Sequence, residues 1–252
     1  MHYWKLVFRS CLLIAALVLY IINRVTNSGK LFGGVENDPI ILMVIWLLFV
    51  VEMILRFFPA SIESMGCQKQ FVANYQPASV SVKTRPAGLH KGVLITVAAW
   101  VVLNGIIGVL HFLSVLDTGV LLLISLAYSV CDMICILFFC PFQTWFMKNK
   151  CCTTCRIYNW DYAMMFTPLI FVPSWYCLSL VGIALVLLIQ WEVLIARHPE
   201  RFSEATNCSL ACANCREKLC HHKKQLRRFL RSNREQLLRM GHQLRQREFH
   251  KR

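Results

Sequence analysis

The chain has 252 residues, of which 57% are hydrophobic and 16% charged, and its net charge is +14. A water-soluble domain carries about 25% charged residues, so this composition excludes an ordinary soluble globule. The apolar residues gather in continuous runs of roughly 18 or more, the length a helix needs to cross ~30 Å of hydrocarbon. Continuous rather than alternating runs exclude the strands of a membrane barrel. The expected fold is an all-α, polytopic bundle of transmembrane helices.

The first span is expected over residues 6–22. Lys5 and Arg9 precede or enter it, and Ile22-Asn23-Arg24 offers no small-residue cleavage site, so it reads as a retained span rather than a signal peptide. The second is expected over 39–57. Glu52 and Arg56 stand four apart there, a spacing that pairs them on one helix face. A polar, basic stretch follows over 59–91, with Pro77, Pro86 and Gly88. The third span covers 93–113 and contains Asn104 and His111. The fourth covers 119–140 after a short connector at Asp117, so the third and fourth are expected to pack as an antiparallel pair.

A loop with Lys148, Lys150, Cys151, Cys152, Cys155 and Arg156 comes next. The stretch 157–196 is too long for one ordinary helix and is interrupted by Pro168 and Pro173. It reads either as one long kinked span, or as a hairpin of a short fifth span and a sixth over 175–196.

Charge favours the hairpin. With a cytosolic N-terminus, the outer loops hold Arg24 and Lys30 against Glu36, Asp38 and Asp117. The inner loops hold Lys69, Lys83, Arg85, Lys91, Lys148, Lys150 and Arg156 against Glu63. That asymmetry satisfies the positive-inside rule. From His198 onward there are fourteen Lys or Arg against five Glu, and this tail is also inside only if 157–196 crosses twice. Six spans are therefore preferred, with five as the alternative. The expectation is a multi-pass cell-membrane protein with both termini cytosolic, divided into a transmembrane domain (1–197) and a cysteine-rich basic tail (198–252).

Of the thirteen cysteines, those in the loops and tail follow the same topology, and Cys177, near the outer end of the sixth span, is the exception. Cys67, Cys151, Cys152, Cys155, Cys208, Cys212, Cys215 and Cys220 all fall on the expected cytosolic side, where thiols stay reduced and serve as metal ligands or redox centres. Cys152-Thr-Thr-Cys155 and Cys212-Ala-Asn-Cys215 are two C-x-x-C pairs. Such a turn lets two thiolates converge on one ion, and two turns complete a four-sulfur shell for zinc or an iron–sulfur cluster. The hairpin would bring both pairs to one membrane face. Cys151, Cys208, Cys220, His221 and His222 are substitute ligands, and Cys208, Cys212, Cys215 and Cys220 could close a site within the tail alone. Reduced, unliganded thiols are the bland alternative.

A second group lies in the fourth span: Cys131, Asp132, Cys135 and Cys140. Cys131 and Cys135 share a helix face. Cys140-Pro141 resembles the Cys-Pro pairs of membrane polyferredoxins and metal-transporting ATPases, but the wider pattern of neither family is present, and no function is carried over. Cysteines acting as small apolar residues are the simpler reading. Asp132 lies ~13 Å of helix from Pro141. It is expected to face the bundle interior, where Asn104 and His111 are candidate contacts and a proton or ion relay is one role. Arg9 is expected to snorkel, Glu192 to lie near the inner end of the last span, and Asp161, within Tyr158-Asn-Trp-Asp-Tyr162, to sit in an aromatic belt.

Residues 217–250 read as a long basic helix. Leu219, Leu226, Asn233 and Met240 repeat every seven, with Leu230, Leu237 and Leu244 at the companion position. This short heptad seam suits a homodimer or a protein partner. A helix lying on anionic lipid heads fits slightly better, because Gly241 weakens the seam's end. Nucleic acid is disfavoured, since the basic tail directly follows a span.

No internal repeat, dinucleotide fingerprint, phosphate loop or nucleophile elbow is present. The segments CPFQ, CCTTCRIYNWDY, HPERF and CANCREKLC resemble those of bacterial membrane proteins, a resemblance that implies no activity. The leading expectation is a membrane protein with a cytosolic cysteine-ligated metal, structural zinc or similar, and a basic tail for lipid or partner binding. The alternatives are a redox protein carrying an iron–sulfur cluster, and an ion or metal transporter using Asp132 and the span-four cysteines. Nothing resembles a hydrolase or transferase site, so redox turnover is the one enzymatic reading retained.

Overall fold

The computed structural model describes residues 2–25, 39–59, 65–78, 91–147, 154–211 and 214. Within them the chain is helical: α1 (His2–Val25), α2 (Pro39–Ile54), α3 (Met65–Gln68), α4 (Lys91–Phe112), α5 (Thr118–Leu137), α6 (Asp161–Phe166) and α7 (Trp175–Arg197). No strand occurs among the described residues, and a single backbone bridge joins Pro77 to Asn207.

Among the described residues, four helices are long and apolar enough to cross a membrane: His2–Ile22 within α1, and α4, α5 and α7. The other two expected crossings are shorter. α2 has 16 residues, and the chain before α7 is a broken helix of three pieces. A 3₁₀ turn (Tyr158–Trp160) leads into α6, and a second 3₁₀ stretch (Thr167–Phe171) follows it. Pro168 sits at the start of that second stretch, where its missing N–H is harmless. Val172, Pro173 and Ser174 are extended or irregular.

The chain then doubles back. Trp160 Nε1 donates to Glu192 Oε1 at 2.7 Å, and Arg156 pairs with the same carboxylate. The start of the broken helix thus lies beside the end of α7, so 157–196 is a hairpin and not one kinked rod.

The broken helix occupies the centre of the bundle. Tyr162, Met165, Phe166 and Leu169 are buried with Phe49 and Met53 of α2, Leu121 of α5, and Leu180, Leu187 and Trp191 of α7. Its position corrects one expectation: α4 and α5 do not form the main antiparallel pair. α5 packs chiefly on α1 and α6, and α4 on Thr167–Phe171 and on the 142–146 turn. α4 and α5 still touch where Trp100 meets Tyr128, ring centroids 4.8 Å apart.

The ends of α5 follow from local chemistry. Asp117 caps its start, Oδ1 accepting from Val120 N at 2.9 Å. At the other end the helix stops at Leu137, a few residues short of Cys140, because Pro141 has no N–H to continue it. A π-helical turn, Phe142–Phe146, follows. It presses so closely on α4 that a Cβ at Gly92 would stand 2.3 Å from the Phe146 carbonyl oxygen.

Residues 198–211 dock on 65–78 beside the end of α7. Asn207 Nδ2 donates to Lys69 O (3.0 Å) and Arg201 O (2.9 Å), and Cys208 N donates to Gln76 O (2.8 Å). Trp191 joins the two segments by edge contacts with Phe71 and Phe202. The first part of the tail is therefore fixed to the body. The heptad stretch 217–250 lies outside the described residues.

Candidate functional site

Two features meet in the bundle: a cavity lined by sulfur and a buried ion network behind it. The cavity holds about 130 Å³. Cys131, Asp132 and Cys135 of α5 form one wall. Cys140 and Gln143 come from the link and π turn that follow, Cys155 from the next loop, and Asp161, Met164 and Met165 from α6. Trp100, Tyr128, Phe142 and Tyr158 supply aromatic walls. Four thiols, two thioethers and two carboxylates thus converge from segments up to thirty-four positions apart in the chain.

The span-four group identified in sequence is brought together here. Cys131 and Cys135 line the same cavity, as their four-residue spacing requires. Cys140 reaches it because the chain leaves helical geometry before Pro141 and turns back. The thiols of Cys135 and Cys140 line the cavity within interacting distance of one another. Cys140 Sγ also accepts from the backbone N–H of Gln143 at 3.4 Å.

Behind the cavity, Arg9 is 3% exposed. It donates to Glu52 Oε2 at 2.8 Å, to Asp132 Oδ2 at 3.3 Å and to the Ser129 carbonyl at 3.1 Å. Lys5 reaches Glu52 at 3.3 Å, and the Tyr162 hydroxyl donates to Glu52 at 3.0 Å. Arg56 grips Asp161 through both nitrogens, at 2.8 and 2.6 Å, and lies 4.7 Å over the Tyr162 ring. Among the described residues, three cations and three carboxylates face one another, and such pairing is how charge is tolerated away from water.

Four sequence expectations are corrected by this geometry. Arg9 does not snorkel, since carboxylates on two other helices hold it in the bundle. Glu52 and Arg56 do not neutralise each other across one helix turn; each takes a partner from a different element. Asp161 belongs to an ion pair and not to a headgroup belt. Asp132 faces inward as expected, but Asn104 and His111 do not serve it. Asn104 Nδ2 bonds Trp100 O at 3.0 Å, and His111 Nδ1 bonds Leu116 O at 2.8 Å.

The loop-and-tail cysteines divide differently. Cys155 is buried against Val93 and Ile157 and lines the cavity. Cys208 is partly exposed, its thiol 3.8 Å from the Pro77 carbonyl. Cys151, Cys152, Cys212, Cys215, Cys220, His221 and His222 lie outside the described residues. Among the described residues, no three His, Cys, Asp or Glu side chains are close enough to hold one ion. Sequence reasoning missed Cys155, Met164, Met165 and Arg9 as parts of this site. The apolar α6 sequence carries no motif that marks its methionines as cavity walls.

The fold and site define, among the described residues, an all-helical protein with four membrane-length helices and a sulfur-lined cavity between α4, α5 and α6, beside a buried ion network. No family model matches the chain, and neither a curated protein nor a solved structure does.

Proposed function

We propose that this chain is a multi-pass cell-membrane protein that binds a thiophilic metal ion in the α5–α6 cavity. Cys135 and Cys140 are the donors, and the thioethers of Met164 and Met165 line the same space. The observation that carries this reading is the gathering of four thiols and two thioethers on one cavity. Thiolate and thioether donors select copper(I) over harder ions. Two thiolates suffice for a monovalent ion of this kind, whereas a structural zinc asks for four ligands. The activity is ion binding or transfer, which retains the metal-handling alternative from the sequence.

In this reading α2 and the 158–171 segment count as crossings. Six α-helical and eight 3₁₀ residues reach ~25 Å, near the hydrocarbon thickness. Six crossings place both termini and the basic tail in the cytosol, where the tail meets anionic lipid heads. Zinc held by Cys152, Cys155, Cys212 and Cys215 is the second reading. It is favoured by the contacts of Arg156 and Trp160 with Glu192, since these bring the end of the loop to the helix end from which the tail departs.

The test is anaerobic titration of the purified protein with copper(I) and zinc against a chromophoric chelator. Cys135→Ser/Cys140→Ser should lose copper(I), and Cys152→Ser/Cys212→Ser should keep it. Unchanged copper(I) affinity in the first variant would overturn the cavity reading. Labelling of Cys208 by a membrane-impermeant maleimide added outside intact cells would overturn the topology.

A further inference from the structure

We infer that Cys135 and Cys140 are a redox-active dithiol that reduces a lipid-soluble quinone held in the aromatic part of the same cavity. The inference goes beyond ion binding and stands on a different observation, the placement of the two sulfurs. They line one cavity within interacting distance of each other, so disulfide formation needs little movement. They are also unequal. Cys140 Sγ receives the Gln143 N–H at 3.4 Å and lies outside α5, in the link before the π turn, so it is the sulfur with freedom to approach a ring and is the attacking one. Cys135, inside the last turns of α5, is the resolving sulfur.

The shape of the cavity selects the oxidant. Trp100 and Tyr128, with rings 4.8 Å apart, form one wall, and Phe142 and Tyr158 also line the space. Such walls favour a flat ring over a folded polypeptide. Cys135 and Cys140 are only partly exposed, too enclosed for a protein disulfide to reach. Cys131 on the same wall is exposed at the flank of α5, so access is lateral, from the apolar side. A lipid-soluble, two-electron acceptor of small planar head is the class that fits.

The step balances. The Cys140 thiolate adds to the quinone ring, forming a C–S bond. The Cys135 sulfur then attacks the Cys140 sulfur. The S–S bond forms as the C–S bond breaks, and that electron pair stays on the ring. The two thiol protons end on the two quinone oxygens. One dithiol is oxidised to a disulfide, and one quinone is reduced to a hydroquinone. A disulfide has no thiolate for a metal, so quinone reduction and ion binding exclude each other.

The experiment is a single turnover of the reduced full chain in lipid nanodiscs with decylubiquinone, followed by quinone absorbance and by mass after thiol alkylation. One quinone should be reduced per chain, and the two thiols lost should be Cys135 and Cys140. Cys135→Ser and Cys140→Ser should each fall to background, while Cys11→Ser, on the exposed face of α1, should not. Bound copper(I) should block the reaction. If folded wild-type protein binds copper(I) but leaves the quinone oxidised, the redox inference fails and the ion-binding reading stands. If quinone is reduced but copper(I) is not bound, the reverse holds. Loss of thiols other than Cys135 and Cys140 also overturns the inference.

Discussion

Arg56, in the turn after α2, and Asp161, at the first position of α6, meet through two hydrogen bonds of 2.8 and 2.6 Å although 105 positions separate them in sequence. Both side chains are 6% exposed. The pair fastens the start of the central broken helix to the end of α2 and holds one carboxylate at the cavity wall.

Breaking that pair should be costly. Removing one partner of a buried ion pair leaves an uncompensated charge and costs about 3–5 kcal/mol. Asp161→Leu and Arg56→Met should each lower the unfolding midpoint in detergent sharply. The double variant should recover much of the loss, because neither charge is then stranded. Thermal unfolding of the three variants checks this, and equal loss in single and double variants contradicts it.

Arg9 is shared unequally. It lies 2.8 Å from Glu52 and 3.3 Å from Asp132, so a double-mutant cycle should give a larger coupling of Arg9→Gln with Glu52→Gln than with Asp132→Asn. Couplings within one network are about 0.5–3 kcal/mol. Arg9→Lys should not restore stability, since an ammonium cannot reproduce a planar fork that serves two carboxylates and a carbonyl.

The glycines of α4 separate packing from helix propensity. A Cβ at Gly92 would meet the Phe146 carbonyl at 2.3 Å, one at Gly108 would meet the Phe171 ring at 2.5 Å, and one at Gly105 would meet nothing within 4 Å. Gly92→Ala and Gly108→Ala should destabilise by about 1–3 kcal/mol through overpacking. Gly105→Ala should be neutral or slightly stabilising, because alanine is the better helix former. Unfolding midpoints of the three variants would expose the error if all behaved alike.

Asn207 should control docking of the tail's first part. Its amide serves Lys69 O and Arg201 O, and its Oδ1 accepts from Ser209 N at 3.0 Å. Asn207→Ala leaves these groups without their partner. Hydrogen exchange should then accelerate across 65–78 and 198–211 together, while α4 and α5 keep their protection. Faster exchange confined to 198–211 would show that the two segments are not coupled through this residue.

Much of the architecture was legible in the chain. Hydropathy located all four long helices within a few residues, and the two prolines and the charge asymmetry selected the hairpin over one kinked rod. Cys131 and Cys135 were legible as a pair because a helix puts positions four apart on one face, whereas Cys140 joins them only because the chain leaves α5 and turns back. Their neighbour Cys155 was assigned instead to a partner C-x-x-C, since spacing alone cannot tell a loop that reaches a cavity from one that faces a tail. Glu52 and Arg56 were misread for a similar reason. An i, i+4 spacing makes a pair available, but stronger partners arriving from other helices displaced it.

The sequence by itself determined that the chain builds apolar helices of membrane length, since backbone polar groups in an apolar medium must be satisfied within the segment and only local composition decides where that happens. Which arginine faces which carboxylate, which sulfurs touch, and where the broken helix lies were decided by the tertiary structure. Those choices depend on how helices far apart in the chain pack, and a buried charge accepts whichever counter-charge that packing delivers.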